Sequence, residues 1–464
     1  MRWLASRRAS CGRRRVGARP GRGACRTSAM RNGRETRPGE AKASEAVRRP
    51  VGAGPEEPES RGVDPGGVRS FWRRRVRSAV GASGTPALVF AEEPLVAQAR
   101  RLQASFAGMP VRHWWSFKTL PLLAAVRACR RLGFGVEVVS EYELRSVLGA
   151  GIPPSDILVN GPAKHAWLPR TEVSGLWVNF DALGEVEALA GLAVERGWRV
   201  GLRLNTRSEE NFEFPGVRTQ FGLLGSEVSR AVDRLRRVGK EPEVLHFHLR
   251  TQVPEARLYR EAAEEALGRA AEAGWTPTIL DLGGGFPAER VRTRKGAPWN
   301  AGFSTERLRE TLSTVRHRHP HLAAIWMENG RWLVSPSGVL VVEVLETKEG
   351  RGVRTVICDG GRTLQAMVAT WERHAMFPLP VRHGRAVKTL VCGPTCMAFD
   401  NLGLHDLPTT LRNGDRLVWM DAGAYQMSWE TRFSHGLGAV VWTVGKTVEV
   451  IRPREGFATW NQGR

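Results

Sequence analysis

Cysteine is scarce in this chain. Its 464 residues hold six, Cys11, Cys25, Cys129, Cys358, Cys392 and Cys396, too few and too scattered for a disulfide framework. Cys392 and Cys396 stand four apart with neither a second pair nor clustered histidines, so no metal site is expected. No run of eighteen apolar residues occurs, which argues against a membrane-spanning helix. The basic start is followed by no apolar core, so secretion is not expected either. A reducing, cytoplasmic setting is the natural reading. Lysine is scarce too, at 8 residues against 61 arginines. That skew reads as compositional bias as much as selection for phosphate binding.

What charge there is lies unevenly. The formal net charge is +22, but residues 1–77 hold 21 basic and 7 acidic side chains, leaving 48 and 40 for the rest. The basic character therefore belongs to a tail and not to a nucleic-acid-binding face of the folded body. This stretch is rich in Arg, Gly and Pro without apolar periodicity, so disorder is expected. It is open to three readings: an arm for nucleic acid or membrane surface, an Arg-rich transit peptide, or an upstream start with Met30 as an internal alternative.

Order is expected from about residue 85, with a strand at 86–90 and a helix to about 107. Apolar, strand-like runs then recur at 111–116, 135–140, 156–160, 176–181, 199–205, 244–249, 278–282 and 324–328. Helix-like stretches at 120–131, 185–196, 227–238, 257–273 and 305–319 lie between them. Eight strands alternating with helices predict a (β/α)8 TIM barrel in an α/β chain. After residue 331 valine-rich alternation takes over at 339–346, 354–358, 388–392, 416–420, 438–444 and 447–451. It predicts a C-terminal β-barrel or sandwich domain. The expected organisation is a tail over 1–77, a strand and helix over 78–108 joining the β domain, the barrel over 109–335 and the β domain over 336–464.

Barrel enzymes put reactive groups at the C-terminal ends of their strands. There the sequence offers Lys118 after the first strand and His248 at the end of the sixth. Asp281 with Gly283, Gly284 and Gly285 follows the seventh, and Glu328 with Arg331 the eighth. A lysine in such a place is most often a solvated surface group, and a strand histidine most often a satisfied core residue. Lys118, however, is one of few lysines and sits between aromatics and an apolar helix; desolvation would lower its pKa and make it a nucleophile for carbonyls. Glycines after strand seven let backbone N–H groups approach a phosphate, and Arg331 offers a guanidinium to it. Lysine, phosphate cradle, carboxylate and histidine together suggest pyridoxal 5'-phosphate, whose pyridine nitrogen a carboxylate keeps protonated.

With Phe117-Lys118-Thr119, Val138-Val139-Ser140 before Glu143-Leu144, His246-Phe247-His248, 280–287, Glu328-Asn329-Gly330-Arg331, Gly393-Pro394-Thr395-Cys396 and Gly414-Asp415 before Gly423-Ala424-Tyr425, the chain resembles a known family. It is similar to the pyridoxal phosphate-dependent ornithine, diaminopimelate and arginine decarboxylases of the alanine-racemase-like fold, from about residue 85 to 436. The resemblance implies that Lys118 holds the cofactor and His248 stacks on its ring. It gives Glu328 to the pyridinium and Thr251, Gly283, Gly284, Gly285, Gly330, Arg331 and Tyr425 to cofactor binding. It also implies a homodimer with active sites at the subunit interface, where Cys396 of one subunit completes the other's site and protonates the carbanion. Arg203 matches a supporting arginine; Cys358 and Cys392 read as buried thiols.

Departures from the pattern bear on the substrate. Arg250 replaces a glycine beside the phosphate loop, and Asn329 a proline. Met397 stands where relatives carry an acidic reader of a distal amine. Met367 and Trp371 occupy the segment in which diaminopimelate decarboxylases carry an arginine and a tyrosine. The expected function is decarboxylation of a non-standard amino acid or conjugate, with Arg250 or Arg432 available to an anion on it. The alternatives are diaminopimelate decarboxylase, a racemase, which would favour arginine over Glu328, and a non-catalytic, partner-binding homologue.

Overall fold

The computed structural model describes residues 67–207, 216–350 and 352–463. The basic tail, up to residue 66, lies outside the described residues. The expected tail limit at 77 needs correction, because helix α1 (Val68–Ser83) runs through it. Trp72, Val76, Ala79 and Val80 share one helical face and are buried against strand residues of the β domain. Counting charge in Arg73, Arg74, Arg75 and Arg77 hid that spacing. Strand β1 (Ala87–Ala91) and helix α2 (Glu92–Ser105) follow.

The barrel is built from β2 (Val111–Ser116), α3 (Leu123–Arg130), β3 (Gly135–Val138), α4 (Glu141–Gly149), β4 (Ile157–Val159), β5 (Trp177–Phe180), α5 (Leu183–Glu195) and β6 (Arg199–Arg203). Then come α6 (Gly225–Arg237), β7 (Val244–His246), α7 (Arg257–Glu272), β8 (Ile279–Asp281), the two-residue β9 (Arg292–Thr293), α8 (Thr305–Arg318) and β10 (Ala324–Asn329). Eight parallel strands close in the order β10-β2-β3-β4-β5-β6-β7-β8.

Past a short α9 (Arg331–Val334) the chain forms β11 (Gly338–Glu349), β12 (Arg354–Cys358), α10 (Ala366–Thr370), β13 (Glu372–Arg373), β14 (Met376–Leu379) and β15 (Ala386–Cys392). It ends in β16 (Asn401–Pro408), β17 (Arg416–Trp419), α11 (Gln426–Trp429), β18 (Ala439–Val444) and β19 (Thr447–Arg452). The nine-stranded mixed sheet runs β16-β15-β12-β11-β1-β18-β19, with β17 on β11 and β14 on β17. Strand β1, from ahead of the barrel, is thus a central strand of the sheet behind it. Sequence pattern misses β14 and β16, which carry Pro378 and Pro408. Both strands lie at edges, where the missing N–H costs no ladder bond.

Inside the barrel the side-chain period of two sorts residues into layers. Trp114, Leu158, Trp177, Val244, Ile279 and Trp326 form one buried apolar cluster. The Trp326 ring lies 4.9 Å from that of Trp114 and 4.6 Å from that of Trp177, both edge-on. Arg112 and Arg199 cover this floor from below, over Trp114 and Trp177. Two residues further along the same six strands stand Ser116, Asn160, Asn179, His246, Asp281 and Glu328, all buried and all polar.

Candidate active site

The polar layer is wired together. Ser116 Oγ donates to Glu137 Oε2 at 2.7 Å, and Asn160 Nδ2 reaches both Glu137 Oε1 at 3.3 Å and Glu328 Oε1 at 2.5 Å. On the other side of Glu328, His246 Nε2 lies 3.2 Å from Oε1. Asn179 Nδ2 donates to Asp281 Oδ2 at 3.2 Å, and the N–H of Gly283 donates to Asp281 Oδ1 at 3.0 Å. Burial alone would raise the Glu328 pKa, but the neighbouring His246, Lys118 and His248 outweigh it and hold this carboxyl well below its usual range. His246, Asp281 and Glu328 thus form one tight, buried cluster of titratable groups.

One step higher lies the mouth. Lys118 sits on the turn Phe117–Thr119 directly after β2, and its Nζ is 2.7 and 2.6 Å from the two oxygens of Glu137. The lowered pKa expected for Lys118 is a point of correction. Burial does push the amine down, but Glu137 and Glu328 push it further up, so its pKa is raised. An aldehyde brought here would meet an ammonium, so Lys118 would have to pass a proton on before acting as a nucleophile. His248 keeps about a third of its side chain exposed at the mouth, and burial of the ring pushes its pKa down to about 3. The backbone N–H of Gly284 donates to its Nδ1 at 3.1 Å, so that nitrogen carries no proton and the ring is neutral.

The glycine loop is a close-approach structure. A Cβ on Gly283, where φ is +64°, would come within 2.7 Å of the Phe247 carbonyl and of His248 Nδ1. On Gly285, at φ +94°, it would come within 2.1 Å of the Arg250 carbonyl. Gly284 packs on the Glu328 carbonyl and Gly330 on Thr119 Oγ1. The loop therefore packs its backbone tightly between His248 and Glu328, where a side chain would not fit.

Other expected residues divide. Arg331 is buried, but its guanidinium is ion-paired to Glu372, which also accepts from His374 and Gln252. Arg331 stacks over Tyr425 at 4.8 Å, and the Tyr425 N–H donates to the Thr119 carbonyl at 2.8 Å, next to Lys118. Arg331 is thus tied to Glu372, not a free guanidinium as expected. Thr251 and Arg250 are exposed. Cys396 is exposed on the loop between β15 and β16, which Asp400 organises through Gly393, Thr395 and Arg362; no described contact joins it to Lys118, His248 or Glu328. Arg432 is bound to Glu455 by two nitrogens, which removes it as a free anion partner. Cys392 is half-buried, not fully buried as expected.

Sequence reading misses Glu137, the residue nearest the lysine, along with Asn160 and the role of His246. The signal was present in strand arithmetic: each residue two places after a floor residue belongs to the polar layer. Glu137 is found by register, since it faces Ser116 across β2 and β3.

The residues fit pyridoxal phosphate. An ammonium, an ionised buried carboxylate and a neutral imidazole converge on one mouth, beside a glycine loop whose Gly283 and Gly284 N–H groups bond Asp281 and His248. Lys118 would hold the aldehyde end, Glu328 the ring nitrogen, His248 a ring face, and Gly283–Gly285 with Tyr425 the phosphate.

Comparison with known proteins agrees. Residues 92–335 match the family model described as "Pyridoxal-dependent decarboxylase, pyridoxal binding domain". A diaminopimelate decarboxylase of Pseudomonas aeruginosa is 29% identical over 392 residues, 80% of this chain and 91% of the relative. One from Zymomonas mobilis is 25% identical over 388 residues, 80% and 90% of the two chains. Among solved structures, diaminopimelate decarboxylase from Helicobacter pylori complexed with L-lysine superposes with a TM-score of 0.72 at 19% identity, covering 83% of this chain and 98% of that one. Lysine/ornithine decarboxylase from Vibrio vulnificus complexed with cadaverine gives 0.70 at 19%, covering 82% and 98%. Both structures share the fold.

Proposed function

The chain belongs to the pyridoxal-dependent decarboxylases, carbon–carbon lyases that work with pyridoxal phosphate, and from that premise we propose that its substrate is an amino acid or amino-acid conjugate outside the familiar diamino set. The observation that carries this reading is Met367. It is only 3% exposed and stands where relatives that act on diaminopimelate are expected to present an arginine to the distal carboxylate. Met397 likewise brings no anion for a distal ammonium, and an unpaired charge buried there would cost several kcal/mol, about 2–5. Beside Met367 the exposed Trp371 and Trp429 rings meet edge to face at 5.5 Å, a surface suited to a larger, less charged side chain.

Bound pyridoxal phosphate supplies an aldehyde for the substrate amine and a protonated ring that accepts the electron pair left on Cα when carbon dioxide departs. The chain's own groups do the rest. Glu137 takes up and returns the Lys118 proton, since it is the base within 2.7 Å. Glu328 stays ionised and holds the ring proton in place. The neutral His248 ring excludes water from one face. Cys396, exposed on its loop, serves the site of a second copy, where its thiol gives a proton to Cα and a C–H bond replaces the lost C–C bond. That thiol chemistry suits a reducing cytoplasm. The assembly is therefore a homodimer with shared sites.

The names of the relatives favour a second reading, diaminopimelate decarboxylase. A panel of amino acids assayed for carbon dioxide release separates the two. Ornithine, lysine and diaminopimelate are expected to be poor substrates, roughly 10- to 100-fold below the preferred one for each lost charge-assisted contact, and Met397→Glu to improve the diamino substrates. Turnover of diaminopimelate at a dedicated enzyme's rate would establish the second reading. For the shared site, mixing inactive Lys118→Ala with inactive Cys396→Ala chains is expected to restore part of the activity. Subunit exchange without recovery would make each site self-contained.

A further inference from the structure

His246, Asp281 and Glu328 place one titratable atom each within 4.8 Å of the others, and all three are buried. Only Glu328 has a task in the reaction proposed above. His246 ends β7, two residues before His248. Its Nε2 is 3.2 Å from Glu328 Oε1, and neither ring nitrogen makes an aligned hydrogen bond. The ring thus answers Glu328 mainly by charge. Asp281 backs it from β8, anchored to Asn179 and to the N–H of Gly283. The other titratable groups that face this cluster are the cations Arg203 on β6 and Lys118 after β2, and the neutral His248 above. Lys118 is bound by Glu137, so its positive charge is already shared.

We propose that His246 is a positioning residue for the cofactor's ring nitrogen: held between Glu328 and Asp281 as an imidazolium, it keeps Glu328 ionised and its carboxylate aimed at the mouth. The inference rests on the decarboxylase reading. The physical ground is the fate of a lone buried carboxylate, which takes up a proton when no cation faces it. A protonated Glu328 would no longer offer the negative charge that keeps a proton on the cofactor's ring nitrogen. Asn160 fixes the orientation of Glu328 but brings no charge, which leaves that part to His246. The same arrangement raises the His246 pKa, as burial is outweighed by Asp281 and Glu328.

The first test needs no cofactor. In the full chain freed of cofactor, with histidines isotopically labelled, NMR is expected to show the His246 ring still protonated well above an ordinary histidine's midpoint of about 6.5. In Glu328→Gln it is expected to titrate at or below that value. A neutral His246 at pH 7 in the wild type overturns the proposal, and so does indifference to Glu328→Gln. The second test uses the loaded protein. His246→Gln is expected to retain the visible absorption of bound pyridoxal phosphate and to lose roughly 10- to 100-fold in kcat. The acid limb of its kcat profile and the pH midpoint of the absorption band should both move to higher pH. In a Glu328→Gln background the same change should add less than about twofold, since it acts through Glu328. An unmoved acid limb, or losses that multiply in the double variant, would assign His246 a merely structural part. Should the wild type bind no cofactor at all, the decarboxylase reading fails, while the imidazole titration still decides the charge state.

Discussion

Two layers of one barrel, a single pleat apart, are built from opposite materials. The lower is tryptophan and aliphatic carbon: Trp114, Leu158, Trp177, Val244, Ile279 and Trp326. The upper is hydroxyl, amide, imidazole and carboxylate on the same six strands. Because successive inward side chains are two residues apart, each strand supplies both. The difference teaches where rigidity and reactivity come from. Indole rings packed edge to face put an apolar floor beneath Glu328 and Asp281. In that setting every charge needs a partner, and the partners are specific: the cation of Lys118 for Glu137, the His246 ring for Glu328, and the Asn179 amide as a hydrogen-bond donor to Asp281. The floor makes the layer above it electrostatically expensive, and the network makes it precise in geometry.

The comparison breaks most visibly in the upper layer. Lys118→Ala is expected to abolish the visible absorption of protein incubated with pyridoxal phosphate and to cut turnover at least about 10³-fold. The cofactor-free chain is also expected to lose stability in thermal unfolding, because Glu137, only 1% exposed, is left without its cation. A variant that still absorbs in the visible would remove Lys118 from the centre of the site. In the lower layer the expectation is inverted. Trp326→Ala leaves every charged group in place and opens a cavity under Glu328, so it is expected to cost about 3–5 kcal/mol of stability by denaturant titration. At low temperature, where it is folded, it should still bind the cofactor. Loss of cofactor without loss of stability would mean the floor shapes the site directly.

The sequence made the barrel legible because its parallel strands are short apolar runs, and each of the eight expected runs contains a strand of the closed barrel. It also exposed the residues whose neighbours in the chain form a motif: Lys118, His248, the three glycines and Glu328. What stayed hidden depends on register across strands, which no local pattern contains. Glu137 in Gly-Val-Glu-Val reads as an ordinary polar position until β3 lies beside β2 and points it at Ser116 and Lys118. The same holds for charge. Lys118 read alone is a desolvated amine with a low pKa; read with Glu137 and Glu328 it is the reverse. Arg331 and Arg432 read as free cations because Glu372 and Glu455 are 41 and 23 residues away in the chain.

The smallest expected effect sharpens the contrast between the inside and the outside of the same wall. His246 points inward to two carboxylates, and its pKa rises. His113, on β2, points outward, stacked on the Phe134 ring at 5.2 Å and near Phe106, with burial as the cause that pushes its pKa down to about 4. A histidine lowered in the folded state binds fewer protons there than in the unfolded chain between pH 4 and 6.5. The stability it allows is therefore complete above about pH 6.5 and declines as pH falls towards 4, by roughly 3 kcal/mol at most. His113→Phe keeps the aromatic contact with Phe134 and removes the titration. The Asn329 amide, 3.4 Å from the His113 ring, retains its bonds to the carbonyls of Trp114 and Met327. Denaturant unfolding at a series of pH values is expected to show the variant losing less stability than the wild type between pH 6.5 and 4. His248, whose ring is also lowered, titrates in both proteins and cancels in the difference. Equal slopes would mean that His113 takes up its proton without leaving the apolar wall.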